Sequence, residues 1–295
     1  MAKVQVGNLQ IEYERFGPNI APAVILVQGM AAQMIAWPIE LCLHLVAKGF
    51  QVVRFDNRDV GLSSRLESAG VPDMHAVAAS AFGGPPVTPP YSLDDMASDT
   101  VGLLTALDIE QAHVVGASMG GMIAQLVAAD YPQRTLSLTS IMSTTGNPEL
   151  ELYSPEALKV LLSPGPTIDD FEALVEHELR VERMLSSPSY PADDEAVRAA
   201  IRTRLQRSYD PMGIMRQAAA CAAAGDRRPK LRTIRLRTIV LHGEADPLIP
   251  VSGGHDTAAN IANSELRIIP GMGHNYPIEL MPAFASAIGD AACKG

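Results

Sequence analysis

Cysteine is scarce, and what there is excludes two classes at once. Cys42, Cys221 and Cys293 are odd in number and far apart in a chain of 295 residues. They form neither a disulfide framework nor a metal-binding spacing, so no metal is expected. Positive charge is also in deficit. Lys and Arg number 23 against 33 Asp and Glu, giving a formal net charge of −10 and a pI near 5.2. A phosphate-binding surface needs clustered Lys and Arg, so nucleic acid is not expected as a partner. The same acidity disfavours an anionic membrane surface. The one basic run, Arg227-Arg228-Pro229-Lys230-Leu231-Arg232, reads as a solvated linker. No apolar stretch reaches transmembrane length, and the polar, alternating first fifteen residues lack the apolar core of a secretory signal. A cytoplasmic location is the expectation. Internal repeats and low-complexity tracts are absent as well.

What is present is ordinary for a globular enzyme: 47% hydrophobic and 19% charged residues, in a chain long enough for one large α/β domain or two smaller ones. The centre of the chain is His113-Val-Val-Gly-Ala-Ser-Met-Gly-Gly-Met-Ile-Ala-Gln125. A short apolar strand passes through Gly116-Ala117-Ser118-Met119-Gly120 into a helix, the G-x-S-x-G pattern of a nucleophile elbow. Small residues flank the serine because so sharp a turn brings backbone segments together. The helix N-terminus behind Ser118 offers N–H donors to developing negative charge.

Around this stretch the chain alternates strand and helix. Residues 4–6 and 11–16 read as short strands, and Ala23–Val27 is a continuous apolar run, the mark of a strand buried on both faces. Trp37-Pro38 opens a helix that stops at Gly49, and Gln51–Phe55 is the next strand. Residues 66–90 read as irregular, with Gly83-Gly-Pro-Pro and Pro89-Pro90. Ser92-Leu-Asp-Asp95 caps a helix to about Leu107. A strand at 134–141 follows the elbow helix. From Pro148 to Arg228 only helical periodicity remains, beginning with Ser154 as N-cap and Pro155 at N1, before strands resume at 238–242 and 265–269. The expected organisation is an α/β core of residues 1–147 and 229–295, a mostly parallel sheet flanked by helices, with residues 148–228 inserted as a helical cap.

A serine hydroxyl needs a base, and the base needs a carboxylate to orient it. Two downstream segments are placed to supply them. Asp246, in His242-Gly-Glu-Ala-Asp246-Pro247, follows a late strand, and His274, in Pro270-Gly-Met-Gly-His274, follows the last one. The chain order serine, aspartate, histidine suits this kind of sheet. Glu244 is the rival acid and His242 the rival imidazole; Pro247 favours Asp246, since a turn there fixes the carboxylate.

Together with Val27-Gln-Gly-Met30, Trp37-Pro38 and Arg54-Phe-Asp-Asn-Arg-Asp-Val-Gly61, these residues resemble the α/β-hydrolase superfamily over essentially the whole chain. More narrowly they are similar to the methylesterases acting on anthracycline polyketides, aclacinomycin methylesterase and related carboxylesterases. The resemblance implies Ser118 as nucleophile, His274 as base and Asp246 as orienting acid. It implies the backbone N–H groups of Met30 and Met119 as an oxyanion hole. It also implies that Arg58 and Asp59 brace a loop near the site. Many superfamily members carry His-Gly where this chain has Gln28-Gly29. The oxyanion donors are main-chain, so catalysis should survive the change. Met34, Trp37, Met212, Met215 and Met272 are candidates for an adaptable apolar pocket.

The expected activity is hydrolysis of a small-molecule carboxylic ester, of methyl or short-chain type, through an acyl-enzyme and without a cofactor. Serine at the elbow excludes the aspartate-dependent dehalogenases and epoxide hydrolases of this fold. Cofactor-free haloperoxidases or perhydrolases, C–C hydrolases and a non-catalytic ligand-binding receptor stay open. The sequence gives no reading of oligomeric state.

Overall fold

The computed structural model describes residues 1–81, 83–150, 157 and 165–293. Eight strands form one sheet in the order β1-β2-β4-β3-β5-β6-β7-β8. They are β1 (Ala2–Val6), β2 (Leu9–Phe16), β3 (Ala23–Val27), β4 (Gln51–Phe55), β5 (Ala112–Ala117), β6 (Thr135–Ile141), β7 (Thr238–Gly243) and β8 (Ser264–Ile269). β1 and β2 pair antiparallel and β2 joins β4 antiparallel; every later pairing is parallel. Ala23–Val27, read as a strand buried on both faces, is buried throughout. β3, β4, β5 and β7 are buried along their whole length, whereas the last strand, β8, is only partly covered.

Pleating divides those runs between two cores. Ile25, Val27, Val53 and Val114 face one, shared with α3 (Leu93–Ala106) and α4 (Met119–Asp130). Val24, Leu26, Val52, Val115 and Leu241 face the other, shared with α1 (Ile39–Ala47) and the C-terminal helix at Met281–Ala292. α3 carries the expected capping box: Asp95 N–H donates to Ser92 Oγ and Ser92 N–H to the Asp95 carboxylate.

Two expectations are corrected. The stretch 66–90 holds a helix, α2 (Met74–Ala81). Asp73 caps it by accepting from the N–H groups of His75 and Ala76, and alanines carry it on. The glycines and prolines that argued against structure come after it, where left-handed Gly83 (φ 81°) ends the run. Nor is Arg227 a solvated linker residue. It is 4% exposed, donating to the carbonyls of Thr144 and Gly225 and to Gln125 Oε1, while residues Arg228–Leu231 form a short helix. Backbone carbonyls outcompete water there because the chain re-enters the sheet beside α4.

Between β6 and β7 the described residues contain helices and no strand: α5 (Phe171–Leu185), α6 (Asp194–Arg207) and α7 (Pro211–Ala223). Leu174, Val175 and Leu179 of α5 pack on Ile201 and Leu205 of α6 in a small core of their own. The helix start expected at Ser154 and Pro155 lies outside the described residues. No helix of the described residues is long and apolar enough to cross a membrane.

Candidate active site

β5 ends at Ala117 and α4 begins at Met119, leaving Ser118 as the single residue between them. It adopts φ 57°, ψ −124°, a region costly for any residue with a side chain. The turn is affordable only because its neighbours lack Cβ atoms. One on Gly116 would lie 1.9 Å from the Gly120 carbonyl oxygen, and one on Gly120 would lie 2.1 Å from that of Val27. The strain is held by hydrogen bonds on either side of Ser118. Its N–H donates to the Ile141 carbonyl at 3.0 Å, extending the β5–β6 pairing, and its own carbonyl accepts from Ser143 Oγ at 2.8 Å. The sequence reading did not single out Ser143.

The last strands bring the partners. Asp246 is buried, and its Oδ1 accepts from the N–H groups of Leu248 (2.9 Å) and Ile249 (2.8 Å), which fixes the carboxylate just beyond β7. Its Oδ2 lies 2.7 Å from His274 Nδ1, and His274 Nε2 lies 3.0 Å from Ser118 Oγ. A carboxylate only accepts, so Nδ1 carries the ring proton and Nε2 presents its lone pair to the serine hydroxyl. That arrangement can deprotonate Ser118 as it attacks an electrophilic carbon.

The loop that carries His274 turns at left-handed Gly271 (φ 65°). It is gripped by the C-terminal end of α5 and the residues just after it. His274 N–H donates to the Leu185 carbonyl at 2.8 Å and Gly273 N–H to Ser187 Oγ at 2.8 Å, while Ser187 Oγ donates to Asn275 Oδ1. Ser187, also not found from sequence, thus holds both neighbours of His274.

The rivals sit elsewhere. Glu244 is exposed. His242 is fully buried; its Nε2 donates to the Ile249 carbonyl at 2.9 Å and stands 3.7 Å from the Asp246 carboxylate. Burial pushes its pKa down, which keeps the ring neutral.

After β3 the chain runs against the serine. A Cβ on Gly29 would lie 3.1 Å from Ser118 Cβ and 3.6 Å from its Oγ. Gln28 takes the place of the more usual histidine and ties the loop down. Its Oε1 accepts from Gly29 N–H and from the Tyr276 hydroxyl, both at 2.8 Å. Among the described residues neither the Met30 nor the Met119 N–H has a hydrogen-bond partner. Both are free for a ligand oxygen.

The other expected pocket residues divide. Met34, Trp37 and Met272 are fully buried, with the Trp37 ring tilted 43° against that of Tyr276 at a centroid distance of 5.0 Å and both Trp37 and Met272 in the core beneath the sheet. Met212 is 41% exposed and Met215 half-buried on α7. Arg58 and Asp59 do brace the loop after β4: Arg58 pairs with Asp99 at 2.6 Å, and fully buried Asp59 takes two 2.8 Å bonds from Arg216 of α7. Among the described residues no cluster of His, Cys, Asp or Glu is placed to hold a metal ion.

The sequence profile of the alpha/beta hydrolase fold matches residues 22–279. Rhodomycin D methylesterase DnrP of Streptomyces peucetius is 27% identical over 292 residues, covering 92% of this chain and 90% of that protein. A 2-hydroxymuconate semialdehyde hydrolase from a Pseudomonas species is 25% identical over 268 residues, covering 90% and 85%. Among solved structures, a meta-cleavage product hydrolase from Pseudomonas fluorescens superposes with a TM-score of 0.73 at 19% identity, covering 99% of this chain and 97% of that one. The profile match spans most of the chain, so the chain belongs to the α/β-hydrolase fold family.

Proposed function

We propose that the protein is a carboxylic-ester hydrolase acting through Ser118, His274 and Asp246. The observation that carries the reading is the His274 ring bridging Ser118 Oγ and the Asp246 carboxylate. Ser118 Oγ attacks the ester carbonyl while His274 Nε2 takes its proton, and the oxyanion forms against the N–H groups of Met30 and Met119. His274 returns the proton to the departing alcohol, leaving an acyl-enzyme. Water then attacks the acyl carbon, giving its proton to His274, and the acid leaves as Ser118 regains its hydrogen.

Residues 148–228 act as a cap over this edge of the sheet, and residues 1–147 with 229–295 as the core. The hydrogen bonds that Leu185 and Ser187 accept from the His274 loop support that division. A covered site suits a discrete small molecule better than a lipid interface. The likeness to rhodomycin D methylesterase supports a small alcohol, such as methanol, on a larger acyl part. A cytoplasmic setting belongs to the same reading and agrees with three free thiols, of which burial raises Cys42 to about 11.

The test is fluorophosphonate labelling followed by peptide mapping, together with a panel of esters varied in acyl and alcohol size. A single adduct on the Ser118 peptide and turnover of methyl or short-chain esters are expected. Carbon–carbon cleavage of a vinylogous diketone without ester turnover, or peroxide-dependent halogenation alone, would replace this reading with another of the same fold.

A further inference from the structure

Gln217 sits mid-way along α7 among alanines, fully buried, although nothing in the sheet core requires an amide there. Both ends of that amide are used. Its Oε1 accepts from Ala31 N–H at 2.9 Å, and its Nε2 donates to the Arg58 carbonyl at 2.9 Å. Ala31 is in the left-handed region at φ 62°, a conformation that an alanine leaves unless something holds it. The loop it belongs to is fixed at its other end by Gln28, whose side chain accepts from Gly29 N–H. Between these two anchors stands Met30, whose own N–H has no partner among the described residues and is next to the residue that abuts Ser118.

We infer that Gln217 is a positioning residue, set on α7 outside the sheet, that aims the Met30 N–H at the oxyanion. The inference rests on the proposal above that this N–H is an oxyanion donor. Releasing Ala31 N–H frees the residue to fall back to negative φ. That rotation turns the Met30–Ala31 peptide and drags the Met30 N–H out of line. The Arg58 end gives the amide a fixed base. Arg58 is locked to Asp99 of α3, and Asp59 beside it is locked to Arg216, one residue before Gln217 on the same helix. The amide is the right group because one acceptor and one donor are needed at a fixed separation. A carboxylate keeps only the acceptor, and a thioether of similar length keeps neither.

The experiment compares the purified full-length protein with Gln217→Met, Gln217→Glu and a control, Arg202→Gln, which removes an exposed ion pair with Glu172 on the outer face. Each is tested for melting temperature, for the second-order rate of fluorophosphonate labelling at Ser118, and for kcat/KM on a matched activated ester and thionoester. Sulfur accepts hydrogen bonds poorly, so a loosened oxyanion donor penalises the oxygen ester more, whereas general damage lowers both alike.

Gln217→Met is expected to lower kcat/KM on the ester at least about tenfold, toward the ~10²–10³ lost when such a donor is removed outright. The fall should be in kcat with KM nearly unchanged, and the ester-to-thionoester ratio should drop. Gln217→Glu should fall between Gln217→Met and wild type, and it carries the test if the Met variant does not fold. Arg202→Gln should match wild type. Wild-type labelling and ratio retained in a folded Gln217 variant would overturn the inference and leave the esterase reading standing. A wild-type protein that never labels at Ser118 would overturn both.

Discussion

Replacing Asp246 with Asn changes one atom, and the structure says how that atom must face. Asp246 Oδ1 already accepts from the N–H groups of Leu248 and Ile249. An asparagine will keep its only oxygen there, since turning the amide over would lose both bonds and set its NH₂ against two donors. Its Nδ2 therefore points at His274 Nδ1, where Asp246 Oδ2 had stood at 2.7 Å. A donor there forces His274 Nδ1 to accept, so the ring proton moves to Nε2, the nitrogen 3.0 Å from Ser118 Oγ. The base then faces its substrate proton with a proton of its own.

The loss should be on the order of 10⁴ in kcat, about 5.4 kcal/mol at roughly 1.36 kcal/mol per decade, with KM little changed. Stability should fall far less, by about 1–3 kcal/mol, because the two backbone bonds remain and only their charge assistance goes. Initial rates on an activated acetate across pH 6–9, with urea melts of the same samples, separate the two effects. Glu244→Gln is the comparison and should change the rate less than about twofold, its side chain being exposed. If Asp246→Asn keeps more than a tenth of wild-type activity, or if Glu244→Gln is the more damaging, the assigned carboxylate is wrong.

Ser118→Ala should lower kcat by ~10⁵–10⁶ while melting as a folded protein, and it should take up no fluorophosphonate; mass spectrometry of the elbow peptide checks both. Arg216→Met strands the fully buried Asp59 carboxylate without its bidentate partner, and should cost about 3–5 kcal/mol in urea denaturation at pH 7. His113 is held by burial down to about 4, against about 6.5 in the unfolded chain. Between those values only the unfolded chain takes the proton, so stability falls as pH drops through the window. His113→Gln should remove about 2 kcal/mol of the loss between pH 7 and 5, read from denaturation midpoints at the two values.

β3 was legible because burial on both faces demands an unbroken apolar run, which Ala23–Val27 carries, whereas β4, β5 and β7, buried as completely, carry shorter runs broken or bounded by Gln51, Arg54, His113 and His242. The elbow was legible for a local reason: the clash that forbids a Cβ on Gly116 comes from Gly120, four residues along the same chain. Residues Ser118, Asp246 and His274 could be nominated because each follows a strand, and the ends of parallel strands converge. α2 was missed because its breakers were taken to govern the residues before them, when they only mark where it stops. Ser187 and Gln217 carried no local signal. Their partners are the loop around His274 and Ala31, the latter 186 positions away, and a hydroxyl or amide is informative only once the fold has chosen what it meets.

That distance has a consequence for how the helices between β6 and β7 can vary. They meet the sheet's loops through a seam of polar bonds. Asp56, fully buried, accepts from Met34 N–H, Leu62 N–H and Arg207 of α6, while Gln33 donates to the carbonyls of Arg204 and Ser208. Asp59, Arg216 and Gln217 continue the seam along α7. Such buried ion pairs add little net stability, because desolvation offsets most of their attraction. What they impose is alignment: each fork and amide is satisfied in one register, and a helix that slid by one residue would leave several charges buried and bare. An apolar seam would tolerate that slide. The loop beside Ser118 therefore inherits its geometry from α6 and α7, whereas side chains outside the seam, such as the exposed Met212, can change without moving those helices.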